Sequence, residues 1–393
     1  MALPPLALPP LALYVHVPWC VRKCPYCDFN SHAVGRSAGL PEEAYLAALL
    51  ADLDADLPLA AERELVSLFI GGGTPSLLSG DFYRRLLAGV AERLPLAHDI
   101  EITLEANPGT LERGRFAGYR EAGINRLSLG VQSFQAPQLA ALGRIHSGDD
   151  AEAAFSEARQ AGFDNLNVDL MHGLPGQTPE LALKDLQHAL ALEPEHLSWY
   201  QLTLEPNTEF YRYPPALPEE EALWEIQDQG HECLEAAGFQ RYEISAYARE
   251  GRRSRHNLNY WRFGDYLGIG AGAHGKLSAP GEDGRLRIER RWKSRQPEAY
   301  LRRRHDPRGF VADVHPVDAA DLPLEFAMNA LRLPEGVPLA LWSETTGLPK
   351  AVLVERLASA RKKGLLVEDG QRVQASPRGL LFLNELLASI DES

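Results

Sequence analysis

Apolar positions in the first half of the chain fall into short runs separated by longer stretches of helical period. The runs are Leu11–Val17, Val66–Gly71, Asp99–Glu105, Arg126–Val131, Asn165–Leu170 and Leu197–Leu204. Between them lie helical patterns such as Glu42–Leu57, Phe82–Leu94 and Ala151–Ala161. Apolar runs such as VSLFIG and LNVDL suit strands covered on both faces. Strand and helix in alternation predict βαβ units and a parallel sheet. Six such units make an α/β fold, an incomplete (β/α)6 barrel of the TIM type, over residues 11–205. In that architecture the loops after the carboxyl ends of the strands carry the chemistry.

The remainder divides differently. Residues 1–10 form a Pro/Leu-rich tail with a repeated LALPP. Two Pro-Pro pairs break any helix there, and no basic residue precedes the apolar stretch, so it reads as a poor signal peptide. Residues 206–310 read as a mixed connecting region, with a helix over Glu219–Ala237 entered through a Pro and an acidic first turn, and a turn at APGEDG. Residues 311–393 carry helical segments at Leu324–Leu331, Leu339–Thr345 and Lys350–Lys363. These are followed by GLLVEDGQRVQAS, which reads as a hairpin. The pattern predicts a small winged-helix-like α+β domain, a module that does not by itself specify function.

Composition narrows the partners. The 393 residues carry 40 Lys plus Arg against 54 Asp plus Glu, a formal net charge of −14. Such a chain is a poor general binder of nucleic acid or of membrane surfaces. One stretch runs against the trend: from Arg249 to Arg304 there are 15 basic and 6 acidic residues. It reads either as a contact for an anion or as a solvated face. No run of 18 apolar residues predicts a membrane span.

Three of the four cysteines fall within eight residues, in CVRKCPYC, with the spacing C-x3-C-x2-C. Clustered thiols in so short a run indicate a metal site in a reducing compartment, hence a cytoplasmic protein. A [4Fe-4S] cubane takes thiolate ligands. Cys20, Cys24 and Cys27 would bind three irons and leave the fourth open to chelate the amino and carboxylate groups of S-adenosylmethionine (SAM). A closed zinc site is the alternative and would need a fourth ligand, from His16 or His32. Cys233 lies far off in a helical pattern and reads as core. The motif follows the first expected strand, and GGGTP follows the second, where glycines let backbone approach a ligand closely.

The cysteine motif, GGGTP, LSLGVQSF and VDLMHGLPGQT together resemble the radical SAM family, in particular its coproporphyrinogen-oxidase-like branch. HVPWCVRKCPYCDFNSH and HNLNYW are similar to the haem chaperones of that branch, over nearly the whole chain from Tyr14. The resemblance implies SAM contacts at Tyr14, Gly72, Gly73, Thr74, Glu105, Gln132, Arg144 and Asp169. Glu105 and Asp169 also stand out on chemistry alone, each an acid closing an otherwise apolar strand. Arg144 could equally be a surface residue.

The resemblance further implies a haem carrier that hands haem to an acceptor protein, membrane-associated or not. HNLNYW, His256 to Trp261, is the motif tied to haem here. Imidazole is a common haem-iron ligand, and Tyr260 and Trp261 can pack on the macrocycle. Arg252, Arg253 and Arg255 could pair with propionates, and His274 in GIGAGAHGK is a rival iron ligand. The plainer alternative is a buried histidine in a turn, with aromatics as core. The oxygen-independent oxidase of the branch carries a further cysteine two residues after the third, where this chain has Phe29, and a longer N-terminal extension. Only 13 residues precede Tyr14 here. Porphyrinogen oxidation, or radical SAM chemistry on another substrate, is therefore the second expectation. Nucleic-acid modification is the third, resting on the basic stretch and the winged-helix-like tail.

Overall fold

The computed structural model describes residues 7–34, 39–109, 114–281 and 285–391. Residues 1–6 of the Pro/Leu-rich tail and 282–284, the last three of APGEDG, lie outside the described residues, so the expected turn there does too.

The six apolar runs form six neighbouring parallel strands: β1 (Leu11–Val17), β2 (Leu65–Gly72), β3 (Leu96–Ala106), β4 (Arg126–Gln132), β5 (Leu166–His172) and β6 (His196–Gln201). Helices α1 (Glu42–Ala60), α2 (Gly80–Ala91), α3 (Phe116–Ala122), α4 (Gly148–Gln160) and α5 (Pro179–Ala191) provide the crossovers. Leu13, Val15, Leu68, Ile70, Leu104, Leu127, Leu129 and Val168 have no exposed surface. Each such side chain contributes about 1.5–3 kcal/mol relative to an exposed one. Local signals fix where the helices start. The Ser79 hydroxyl accepts from Phe82 N, and Ser147 and Asp150 form a reciprocal capping box.

The sheet does not stop at residue 205. It continues as β7 (Gln240–Glu243) and β8 (Ala246–Ala248) beyond β6, and as β9 (Asp265–Ile269), β10 (His274–Pro280), β11 (Leu286–Lys293) and β12 (Val311–Pro316) beyond β1. The order is β12-β11-β10-β9-β1-β2-β3-β4-β5-β6-β8-β7. The stretch read as a connection thus supplies both flanks of the sheet. Because β12 pairs with β11, the compact C-terminal unit begins after Pro316 rather than at 311. The edge strands β12 and β7 are not neighbours, so the sheet is open.

The C-terminal unit has its own core, centred on Phe326, Trp342, Leu353 and Leu386. The expected helix over Lys350–Lys363 is two pieces, Lys350–Arg356 and Ala358–Lys362. The expected hairpin is present as a bridge between Leu366 and Ala375 and a bond from Val367 N to Gln374 O.

Candidate functional site

The cysteine loop leaves β1 at its carboxyl end and is held by backbone bonds. Trp19–Cys20 pairs in parallel with His32–Ala33, and Val34 N donates to Cys20 O. The GGGTP turn after β2 closes on the same loop. Gly73 N donates to Val17 O and Thr74 N to Trp19 O, each at 2.7 Å. A Cβ on Gly73 would lie 2.5 Å from the Trp19 carbonyl oxygen, and Gly72 has φ +114°. Both positions therefore require glycine.

The three cysteines line one cleft of about 370 Å³. Gly72, Gly73, Thr74, Glu105, Gln132, Arg144 and Asp169 line it too, so seven of the eight expected SAM residues converge there. Arg144 donates to Asn107 Oδ1 at 2.7 Å and Gly130 O at 2.6 Å, and its Nη1 lies 3.8 Å from Cys24 Sγ. It is a half-buried clamp between strand end and cysteine loop, not a free surface arginine. Gln132 closes β4 with φ +70°, a costly backbone for a side chain, and its Oε1 accepts from Tyr200 Oη at 2.8 Å.

Two half-buried carboxyls face this cleft. Glu105 accepts from Gly72 N at 3.1 Å, and burial, reinforced by the charge of Asp169, pushes its carboxyl up to about 8. Burial also raises Asp169, against bonds from Ser128 Oγ and Asn167 Nδ2 at 2.9 and 2.8 Å. Desolvated carboxyls without a cation are poised to gain one, because a positive ligand offsets the cost of their charge.

Tyr14 stands apart from the other seven. It does not line the cleft; its hydroxyl is 2.9 Å from His16 Nδ1 and it faces a second cavity. His16 also bonds Asn30 O through Nε2 at 2.9 Å, so both ring nitrogens are committed. His32 Nε2 meets Asn30 Oδ1 at 3.3 Å. Neither histidine is turned toward the cysteines as a zinc site would need, and no group of three metal-ligating side chains closes on one ion among the described residues. The thiols are free of disulfides, and burial raises those of Cys20 and Cys27. Three soft donors lining a cleft with two half-buried acids fit a three-thiolate cluster beside a cationic cofactor. Cys233 lies on the helix Glu220–Ala236 and packs against the main core, as expected.

HNLNYW is a short helix, Arg255–Trp261, and two of its side chains, Asn257 and Trp261, reach the cysteine cleft. The Glu101 carboxylate accepts from Arg255 N and His256 N at 3.0 and 3.2 Å. Glu101 lies four residues before Glu105 on β3, about 13 Å along the strand. The three aromatic residues of the motif separate. His256 is 5% exposed, its ring stacked on Phe69 at 4.4 Å, and burial followed by the charge of Arg126 lowers it to about 3. It is a neutral residue packed among rings, and its Nδ1 has no hydrogen-bond partner among the described residues. Tyr260 faces the second cavity, and Trp261 lines the cleft under the Arg332 guanidinium, 4.4 Å from the ring centroid. The arginines assigned to propionates are engaged elsewhere: Arg252 with Asp164, Arg253 with Glu335 and Arg255 with Asp99. Much of the basic stretch is likewise paired internally, as in Lys276–Asp265 and Lys293–Asp52.

Sequence reasoning missed several lining residues: Asn107, Tyr200, Glu243 and Arg332. Asn107 and Tyr200 stand just past or near strand carboxyl ends, where a search by position would have found them. Arg332 comes from the C-terminal unit and has no local signal.

Comparison with known proteins agrees with this geometry. The model of the radical SAM superfamily matches residues 14–189, and that of the HemN C-terminal domain matches residues 317–382. The "Heme chaperone HemW" of Escherichia coli (strain K12) is 52% identical over 97% of this chain and 98% of its own length. The chain belongs to the HemW family of radical SAM proteins. The family reaches further: the mitochondrial "Radical S-adenosyl methionine domain-containing protein 1" of Bos taurus is 36% identical over 96% of this chain and 87% of its own. A solved structure of the coproporphyrinogen III oxidase HemN from Escherichia coli superposes with a TM-score of 0.80 at 24% identity, covering 98% and 90% of the two chains. That likeness establishes the shared fold, including the C-terminal unit.

Proposed function

We propose that this chain carries haem and passes it to an acceptor protein in the cytoplasm, on a barrel that holds a [4Fe-4S] cluster and SAM. The observation that carries the reading is the convergence of Cys20, Cys24 and Cys27 with the GGGTP turn, Glu105 and Asp169 on one cleft, in a chain 52% identical to a heme chaperone. When bound, the cluster supplies an open iron for the amino and carboxylate groups of SAM. The protein's own part is to position: Gly72 and Gly73 admit the ligand to the backbone, Arg144 offers a counter-charge beside Cys24, and the two acids meet positive charge. Among the described residues no helix is long and apolar enough to cross a membrane.

The test is a haem titration of the anaerobically reconstituted protein, with and without SAM. A stoichiometric Soret change, with transfer to an apo-haem protein, is the expected result. Absence of any Soret change refutes the reading. Decarboxylation of coproporphyrinogen III at sustained turnover would replace it with the oxidase.

Glu105 gives a pH signature. A carboxyl with a value of about 8 is largely protonated at pH 7 and must release its proton to meet a cation. SAM affinity of the wild type should therefore rise with pH by up to about tenfold per unit below that value, relative to Glu105→Gln. Above it the difference flattens. Equilibrium dialysis between pH 6 and 9 reads this, and parallel curves for the two proteins would disprove the role.

A further inference from the structure

A second cavity, of about 260 Å³, opens on the other side of the cysteine loop. Phe29, 58% exposed, lines both cavities and so stands between them. Tyr14, Tyr260 and Tyr266 line the second one, the last two with ring centroids 4.3 Å apart. His274, the first residue of β10, is exposed on its lining and backed by Trp292, with ring centroids 6.0 Å apart and planes at 23°. Its imidazole makes no hydrogen bond among the described residues. Arg295 also lines the cavity, is exposed, and forms no ion pair among the described residues. Asp28 is the carboxylate of the lining, so the rim does not select anions in general. Selection falls to the rings and to the free imidazole.

These features match a planar apolar macrocycle with a metal centre and carboxylate arms. We propose that haem is carried in this second cavity, with the His274 imidazole on the iron, the tyrosine rings against the macrocycle and Arg295 on a propionate. The inference rests on the haem-carrying reading above and adds the location. It also explains what HNLNYW does: Tyr260 forms part of the wall, and His256, 4.7 Å from the Tyr260 ring, packs behind it. The volume falls just below the range of about 300–1,000 Å³ usual for small-molecule sites. A macrocycle would be only partly enclosed and keep much of its surface in solvent, which suits a cargo that must leave. The cavity is mechanically joined to the cluster loop. Asn30, three residues after Cys27, donates through Nδ2 to Ala271 O at 2.9 Å and Arg295 O at 2.8 Å, on either side of His274. A shift of the cysteine loop therefore moves the walls of the haem cavity.

The experiment titrates ferric haem into full-length reconstituted wild type, His274→Gly, His256→Ala and Arg295→Glu, followed by Soret absorption and electron paramagnetic resonance. His274→Gly should bind at least tenfold more weakly with an altered iron signal, and added imidazole should restore the wild-type signal. Arg295→Glu should weaken binding severalfold without changing the signal. His256→Ala should lower affinity while leaving the iron signal unchanged. Retained cluster absorption in each variant establishes that the fold is intact. Wild-type spectra in His274→Gly would overturn the location while leaving haem carriage standing. Loss of the wild-type iron signal in His256→Ala, with His274→Gly unaffected, would move the ligand to the motif. No haem binding by the wild type would remove both readings.

Discussion

Cys24→Ala is expected to purify without the brown absorption of an iron–sulfur cluster, its iron content falling from about four per chain to below about a tenth of that. The three thiols belong to one loop, and each would serve one iron. Two thiolates leave the cubane under-ligated, and metal affinity falls with each ligand removed. No substitute is at hand: both ring nitrogens of His16 are committed to Tyr14 and Asn30, and His32 is bonded to the Asn30 side chain. Arg144, 3.8 Å from the Cys24 sulfur, would lose that contact but keep Asn107 and Gly130, so the cleft should persist. Near-native circular dichroism and thermal midpoint are therefore expected alongside the loss of iron. Cys233→Ala, on a helix packed against the core, should keep full iron. A full four-iron count in Cys24→Ala would refute the site assignment, as would equal losses in both variants.

The parts of the site that sequence reveals are those whose chemistry is local. C-x3-C-x2-C and GGGTP each declare themselves within a few residues. The strand that precedes each is apolar enough to place it at a carboxyl end. Residues whose role depends on a distant partner were not legible. Tyr14 matches a SAM-contacting position by spacing. Yet β1 alternation puts it on the same face as His16, which takes its hydroxyl, beside the Tyr14–Gly268 pairing of β1 with β9. The stacking of His256 on Phe69, nearly two hundred residues earlier, has no signal within its own motif. The basic excess of 249–304 reads as a surface until Asp52, Asp99, Asp265 and Glu325 are found against it. The flanking strands β9–β12 went unrecognised because β11, LRIERRWK, carries three arginines and a lysine. It still places Leu286, Ile288 and Lys293 inside, the lysine made tolerable by two buried acids.

That lysine gives the largest expected effect on stability. Lys293 Nζ lies 2.5 Å from Asp52 and 2.6 Å from Asp56, with all three side chains at or below 3% exposure. Removing one partner of a buried pair strands the other charges, so Lys293→Met should cost about 3–5 kcal/mol. The cost should depend on pH. In the wild type burial already raises Asp52 to about 6, against the lowering effect of Lys293. Without the lysine the folded-state value rises further above the unfolded one. A raised acid destabilises the fold progressively as pH climbs from about 4 toward the folded value. The deficit of Lys293→Met should thus be greater at pH 8 than at pH 5.5, read as a shift in urea midpoint. The Asp52→Asn/Lys293→Met pair should recover much of it. A deficit independent of pH would show that lost packing, not stranded charge, is responsible. The effect should also reach the cysteine loop. Asp52 Oδ2 accepts from Gly270 N and from Tyr300 Oη, and the next residue, Ala271, accepts from Asn30. A buried ion cluster at the sheet flank thereby sets the backbone on which the loop after Cys27 is anchored. Lys293→Met should lose its cluster faster in air than wild type, even at temperatures where both remain folded.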